Sequence, residues 1–306
     1  MYIFDRRWRE EAHGMDGLAK WLTPSRGDHA AQVAALAAHP RYPDAARALA
    51  ANMLAVGETD KALDGIFKDA GRYVATMWAM YLHTAGGLTL PRLKEVCASS
   101  GYLSPGRARA LLLYLRHLGY FEPVTEGTRG APARYAPTDA FVAAWGAHLG
   151  AALDAAAIVE PAIAAVRNRL HEPVVFECLA RVQGEGLLAT AQTADQAAPF
   201  IRIFLHRYAG LQILFTLLAG DTAAFPPAGP IPFSITATAR RFGVSRIHIK
   251  RLLDETEQES LVRCTPDGSV VLSETARATI VFFYGTQIVQ LIASAAATEA
   301  ELSRAT

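Results

Sequence analysis

The sequence predicts a mainly α-helical protein with small β-hairpins, built as two copies of one plan. Three observations carry that expectation. Apolar residues recur at helical spacing along most of the 306 residues. The pattern helix, helix, strand, turn, strand occurs twice. The stretch from Ser104 to Phe121 also lies on 245–262 without a gap, at an offset of 141 residues. In that overlay Ser104 falls on Ser245, Arg109 on Lys250, Leu111 and Leu112 on Leu252 and Leu253, and Gly119–Tyr120–Phe121 on Ser260–Leu261–Val262. Identity is low, so the repeat is one of pattern.

The first helical pieces fall at about 28–38 and 43–56. A stronger one follows at 60–84, with Ile66, Ala70, Tyr73, Val74, Met77, Trp78 and Tyr81 on one face. Gly86 and Gly87 stop it. "TLPRLKEVCASS" reads as a short helix with Pro91 in its first turn. In "SPGRARALLLYLRHLGYF", Ser104 is placed to cap a helix that opens on Pro105 and ends at Gly119. "YFEPV", "TEGTRGAP" and "ARYAPT" give strand, loop and strand, and a helix at 138–153 closes the unit.

The second half repeats this order. A helix at 199–219 is apolar on most sides, and the loop "FPPAGPIP" separates it from "SITATARRFGV" and "SRIHIKRLLDETEQ". "SLVRCT", the tight turn "PDG" and "SVVL" follow, then a long final helix from about 274 to 297. Within it, 278–298 carries no charge and is just long enough to span a bilayer. Gly285, Thr286, Gln287, Gln290 and Ser294 interrupt it and no basic cluster flanks it, so a buried helix is expected. The organisation predicted is an N-terminal helical segment (1–58), a first unit (59–155), a helical connector (156–198) and a second unit (199–306).

Composition narrows the function classes. Half of the chain is hydrophobic (51%) and 19% is charged, the balance of a folded protein that buries a core. Thirty basic against 29 acidic residues leave a net charge of +1, which exerts no global pull on nucleic acid or an anionic membrane. Any polyanion binding has to come from local clustering. Cys97, Cys178 and Cys264 lie far apart without a CxxC, so three reduced thiols in a cytoplasmic protein are expected; redox sensing is the alternative use. The opening "MYIFDRRWREEAHGMDG" lacks the apolar run of a signal peptide.

Clustering is found in "ITATARRFGVSRIHIKRLL", residues 235–253, which has no acidic residue. Ala239 is small where two helices pack closely, and Gly243 stands four residues later, where a tight turn needs a permissive backbone. Ile235, Phe242, Val244, Ile249 and Leu252 are apolar at the positions that join the helices. Arg240, Arg241, Arg246, His248, Lys250 and Arg251, with Ser245 at the helix start, are left for base edges and phosphates. The plain alternative is a solvated amphipathic helix pair with incidental arginines. The strand–turn–strand that follows argues for the DNA-binding assignment, because this is the element order of a winged helix. The first unit has a longer turn, "SSGYLSPG", and no acidic residue from Ser99 to Tyr120. Its candidate DNA contacts are Arg107, Arg109 and Arg116, with Arg129 near the tip of a long wing and Arg134 on the return strand.

On these residues the chain resembles the winged helix-turn-helix regulators, MarR-type proteins especially, over roughly 60–153 and 199–297 and most tightly over 235–272. In such proteins a winged core sits between helices that pair two protomers. The resemblance implies a tandem of two winged helix-turn-helix units packed through long apolar helices, a pseudo-dimer in one chain that acts as a monomer on double-stranded DNA. It leaves open whether both heads bind. A plasmid-type replication initiator also has two tandem winged helices, though such proteins tend to be strongly basic; a tandem winged-helix protein-interaction subunit is the third class. No GxxxxGK[ST], HExxH or GxSxG is present, so neither an enzyme nor a cofactor or metal is expected. Trp78, Tyr81, Tyr208 and Phe283 are placed to line a crevice for a small hydrophobic effector; the alternative is that they are core.

Overall fold

Each half of the chain runs through one order of elements. The computed structural model describes residues 26–124, 132–191, 198–220 and 224–305, and the protein is mainly helical with two small antiparallel sheets. The first half comprises α1 (Arg26–Ala37), α2 (Tyr42–Thr59), α3 (Lys61–Ile66), α4 (Ala70–Thr84), β1 (Leu88–Thr89), α5 (Leu90–Ser100), α6 (Pro105–His117), β2 (Phe121–Val124), β3 (Arg134–Pro137) and α7 (Asp139–Ala156). After a short 3-10 turn come α8 (Ala164–Asn168) and α9 (Pro173–Ala191). A π-helical turn (Ile201–Leu205) then leads to α10 (Gly210–Leu218), β4 (Ile231–Pro232), α11 (Ile235–Phe242), α12 (Arg246–Gln258), β5 (Val262–Cys264), β6 (Ser269–Leu272) and α13 (Glu274–Ala305).

The sheets match in strand order, β1-β3-β2 and β4-β6-β5. Phe121 pairs with Pro137 in the first, and Val262 with Leu272 in the second. The outer strands β1 and β4 were not expected from the sequence. Each has only two residues, too short for any alternation of polar and apolar side chains to register.

The helix expected over 60–84 is two helices. Asp69 takes an extended conformation and its carboxylate accepts from the Arg72 amide at 2.9 Å, starting α4 anew. A capping aspartate satisfies amides that a continuous helix would otherwise bond, so the chain turns there although the apolar spacing runs on. The helix expected over 199–219 is broken at the matching place. Ala209 has a left-handed backbone (φ 61) and its amide donates to the Lys68 carbonyl at 2.6 Å. The two breaks therefore touch. Glycine is required at 210, since a Cβ would lie 2.6 Å from the Ile203 carbonyl oxygen and 2.7 Å from that of Phe204.

Lys68, only 6% exposed, anchors this junction. Its ammonium lies 2.9 Å from the Asp64 carboxylate and donates to the Phe242 carbonyl at 2.8 Å. Phe242 ends α11, where carbonyls lack helical partners and favour a cation. One side chain thus ties the break in the first half to the end of α11 in the second.

The two halves also exchange helices. α2 packs along α7 of its own half and against α10 of the other, whereas α9 packs along α13 and against α4. The helices expected as a leading segment and a connector therefore hold matching positions. A single hydrophobic core runs through both halves, with Trp78, Trp145, Tyr42 and Tyr284 its largest fully buried side chains. By length and composition α13 is apolar enough to cross a membrane. Ile280, Tyr284, Ile288, Ile292 and Ala295 are nevertheless wholly buried, and the helix packs on α1 and α9.

Candidate nucleic-acid interface

The second half presents the better-formed surface. The Ser234 hydroxyl caps α11 through the Ala237 amide, and Gly243 closes it in the left-handed region at φ 63. Ser245 then caps α12, accepting from the His248 amide at 3.1 Å. Ile249, Leu252 and Leu253 are buried against α11 and the sheet, each worth about 1.5–3 kcal/mol of apolar transfer. That anchoring fixes what the other face shows. Arg246, Lys250 and Arg251 are exposed there, with Arg240 on α11, and no protein partner engages any of the four among the described residues.

The helix is divided along its length. Its acidic C-terminal half is held by the protein: Arg202 bonds to Glu255 and to Glu259, the latter at 2.8 Å, and Arg207 reaches Glu255 at 2.8 Å. Glu257 accepts from the Cys264 amide at 3.0 Å. Its basic N-terminal half projects free, with the positive end of the helix dipole adding to the side-chain charge. Besides Ser245, two of the predicted residues also have structural work. The His248 Nε2 lies 2.7 Å from the Tyr208 carbonyl oxygen, which can only accept, so the ring donates. Arg241 pairs with Glu58 at 2.8 Å.

In the first half α6 buries Ala108, Leu111, Leu112 and Leu115 and exposes Arg107, Arg109 and Arg116. Arg109 is free of partners among the described residues. Arg107 reaches the Asp69 carboxylate at 3.3 Å, Arg116 stacks 5.6 Å over the Tyr135 ring, and Arg134 donates to the Gly86 carbonyl at 2.7 Å. Arg129 lies outside the described residues. The first surface is thus less freely basic than its sequence suggested, because neighbours distant in the chain occupy its cations.

Sequence reasoning passed over Arg263, which is exposed on β5 beside the second turn. The alternation of "LVRCT", with Val262 inward, was the available signal. The "PDG" turn itself is acidic: the Asp267 carboxylate accepts from the Thr265 and Ser269 hydroxyls, which hold it below the usual carboxylate range. The two candidate surfaces are mechanically joined. The Arg72 guanidinium sits 5.8 Å from the Tyr114 ring on α6 and 5.7 Å from that of Tyr208, whose carbonyl holds His248 on α12.

Of the four aromatics considered for a crevice, Phe283 lines a cavity between the helices. Trp78 is fully buried core, Tyr81 packs against Gly184, and the Tyr208 ring covers Arg72. None of the three thiols is activated. Burial pushes Cys97 up to about 12, and burial followed by nearby carboxylates raises Cys178 and Cys264. No cluster of three metal-ligating side chains occurs among the described residues. No protein-family model, no curated protein and no solved structure matches this chain.

Proposed function

We propose that the chain is a sequence-specific double-stranded DNA-binding regulator of transcription, a cytoplasmic, non-enzymatic protein that reads DNA through two non-identical winged helix-turn-helix heads in one chain. The observation that carries this is α12, whose buried face fixes its orientation while Arg246, Lys250 and Arg251 stand exposed and unpaired on the other. Support comes from the repeated order helix, strand, helix, helix, strand, strand and the matching sheets, the arrangement in which a winged helix offers its third helix to the major groove. Arg109, Arg240 and Arg263 extend the basic surface, while Arg107, Arg116 and Arg134 would have to leave present partners to reach phosphate. The helix exchange and the Lys68 junction support reading the chain as its own pseudo-dimer, for which a monomer would suffice.

A second assignment, a protein-interaction subunit, draws on one feature: Ile247 is 65% exposed and Leu113 48% exposed on the same two helices. Selection from a random duplex library with the full chain separates the two. Enrichment of a defined sequence, lost in the triple variant Arg246→Ala/Lys250→Ala/Arg251→Ala, supports the regulator. No enrichment at low salt would leave the apolar residues as the functional ones.

A further inference from the structure

Ile247 is the most exposed of the large apolar side chains among the described residues, at 65%. A single exposed isoleucine is ordinary; its place on α12 is not. At about 100° per residue it stands opposite Ile249, Leu252, Leu253 and Thr256, all of them buried. The exposed Lys250 and Arg251 lie one turn on, to either side of it. Ile247 therefore occupies the centre line of the outward face, with cations along both margins. The Ser245 cap, which accepts from the His248 amide at 3.1 Å, fixes the turn that carries it. Helix stability does not account for the residue, since isoleucine is a poorer helix former than alanine and an exposed one gains little from burial.

We propose that Ile247 reads the C5-methyl group of one thymine in the major groove and so sets part of the sequence preference of the second head. This rests on α12 being the DNA-reading helix, as proposed above. The N-terminal residues of a recognition helix meet base edges, and Ile247 is the second residue of α12. Guanine, cytosine and adenine offer hydrogen-bonding groups there, and the thymine methyl is the one apolar group among the base edges. An isoleucine laid on amino or carbonyl groups strips them of water and returns no hydrogen bond. Laid on a methyl group, it buries apolar surface on both partners. The first head lacks this device. In the 141-residue overlay Gly106 falls on Ile247, and the space that a side chain would fill at Gly106 is open. The thymine preference at this register therefore belongs to one half-site.

Exchanging thymine for uracil removes the methyl group alone and leaves pairing with adenine intact. On the duplex recovered by selection, each thymine is exchanged singly, and affinity is measured for the full chain and for its Ile247→Ala variant. That variant should keep its melting temperature, because the side chain is exposed. One exchange should weaken the parent chain about fourfold, the effect of burying one methyl group. Ile247→Ala should bind the unmodified duplex at least about fourfold more weakly and be indifferent to that same exchange, with its salt dependence unchanged. If selection enriches no sequence, DNA reading itself fails and the thymine assignment falls with it. If a sequence is enriched but no exchange weakens binding, or the loss persists undiminished in Ile247→Ala, the thymine assignment is overturned while DNA reading stands. Full affinity of Ile247→Ala for the unmodified duplex would also overturn it, and would leave the isoleucine to a protein partner.

Discussion

Replacing Lys68 by methionine tests whether the two halves form one body. The ammonium is buried, pairs with Asp64 at 2.9 Å and donates to the Phe242 carbonyl at 2.8 Å. Methionine keeps the aliphatic stem and removes both contacts. Losing one partner of a buried ion pair typically costs about 3–5 kcal/mol, because the other charge stays behind uncompensated. Here the low end applies, since the Asp64 side chain is 22% exposed and still accepts from Gln212. The Phe242 carbonyl adds about 1 kcal/mol for a helix end left without its partner. A loss of about 3–4 kcal/mol is expected, which at a urea m-value of about 3 kcal/mol/M lowers the unfolding midpoint by about 1 M. Fluorescence of the buried Trp78 and Trp145 reports the transition, and amide exchange near Phe242 should speed up in parallel. Glu58→Gln, which breaks the exposed pair with Arg241, is the control and should cost no more than about 1 kcal/mol. If Lys68→Met shifts the midpoint no more than that control, Lys68 does not join the halves.

Single alanine substitutions at Arg246, Lys250 and Arg251 should each cost about 1–3 kcal/mol in affinity for a selected duplex, with melting temperature unchanged. Arg107→Ala should act on stability instead, because its guanidinium already serves Asp69; comparing the two readouts for all four variants checks this. With about five to eight phosphate contacts, a plot of log affinity against log salt should have a slope near −5 to −7, and a flat plot would contradict DNA binding through these cations. Burial holds the His148 pKa at about 3 against an ordinary 6.5, so the unfolded chain binds the proton more readily. Stability from this residue is complete above pH 6.5 and is lost as pH falls toward 3, by about 1.4 kcal/mol per pH unit. Urea titrations from pH 6.5 down to about 5 should show a loss of about 2 kcal/mol, added to by His206, which burial also lowers. His148→Gln should remove most of that slope.

What the sequence disclosed was local. Ser104 and Ser245 cap the helices expected of them, Gly243 takes the left-handed turn, and the 141-residue overlay joins α6 to α12. Each of those signals lies within a few residues of what it specifies. The first helix break was written as well, in Asp69, but a single capping residue was outweighed by an apolar pattern that continues past it. Pairings between distant segments left no such trace. Arg107 meets Asp69 across 38 residues and Arg241 meets Glu58 across 183, so which candidate DNA contacts are already engaged could be told only from the fold, for those among the described residues.

The central claim is that one chain reads DNA with two different heads. Its most direct test is the solution mass of the complex on the shortest duplex recovered by selection. The account predicts one chain per duplex, on two dissimilar half-sites about one helical turn, roughly 34 Å, apart. Two chains on a perfect palindrome would contradict it, since an ordinary dimer would then be reading through one head of each chain.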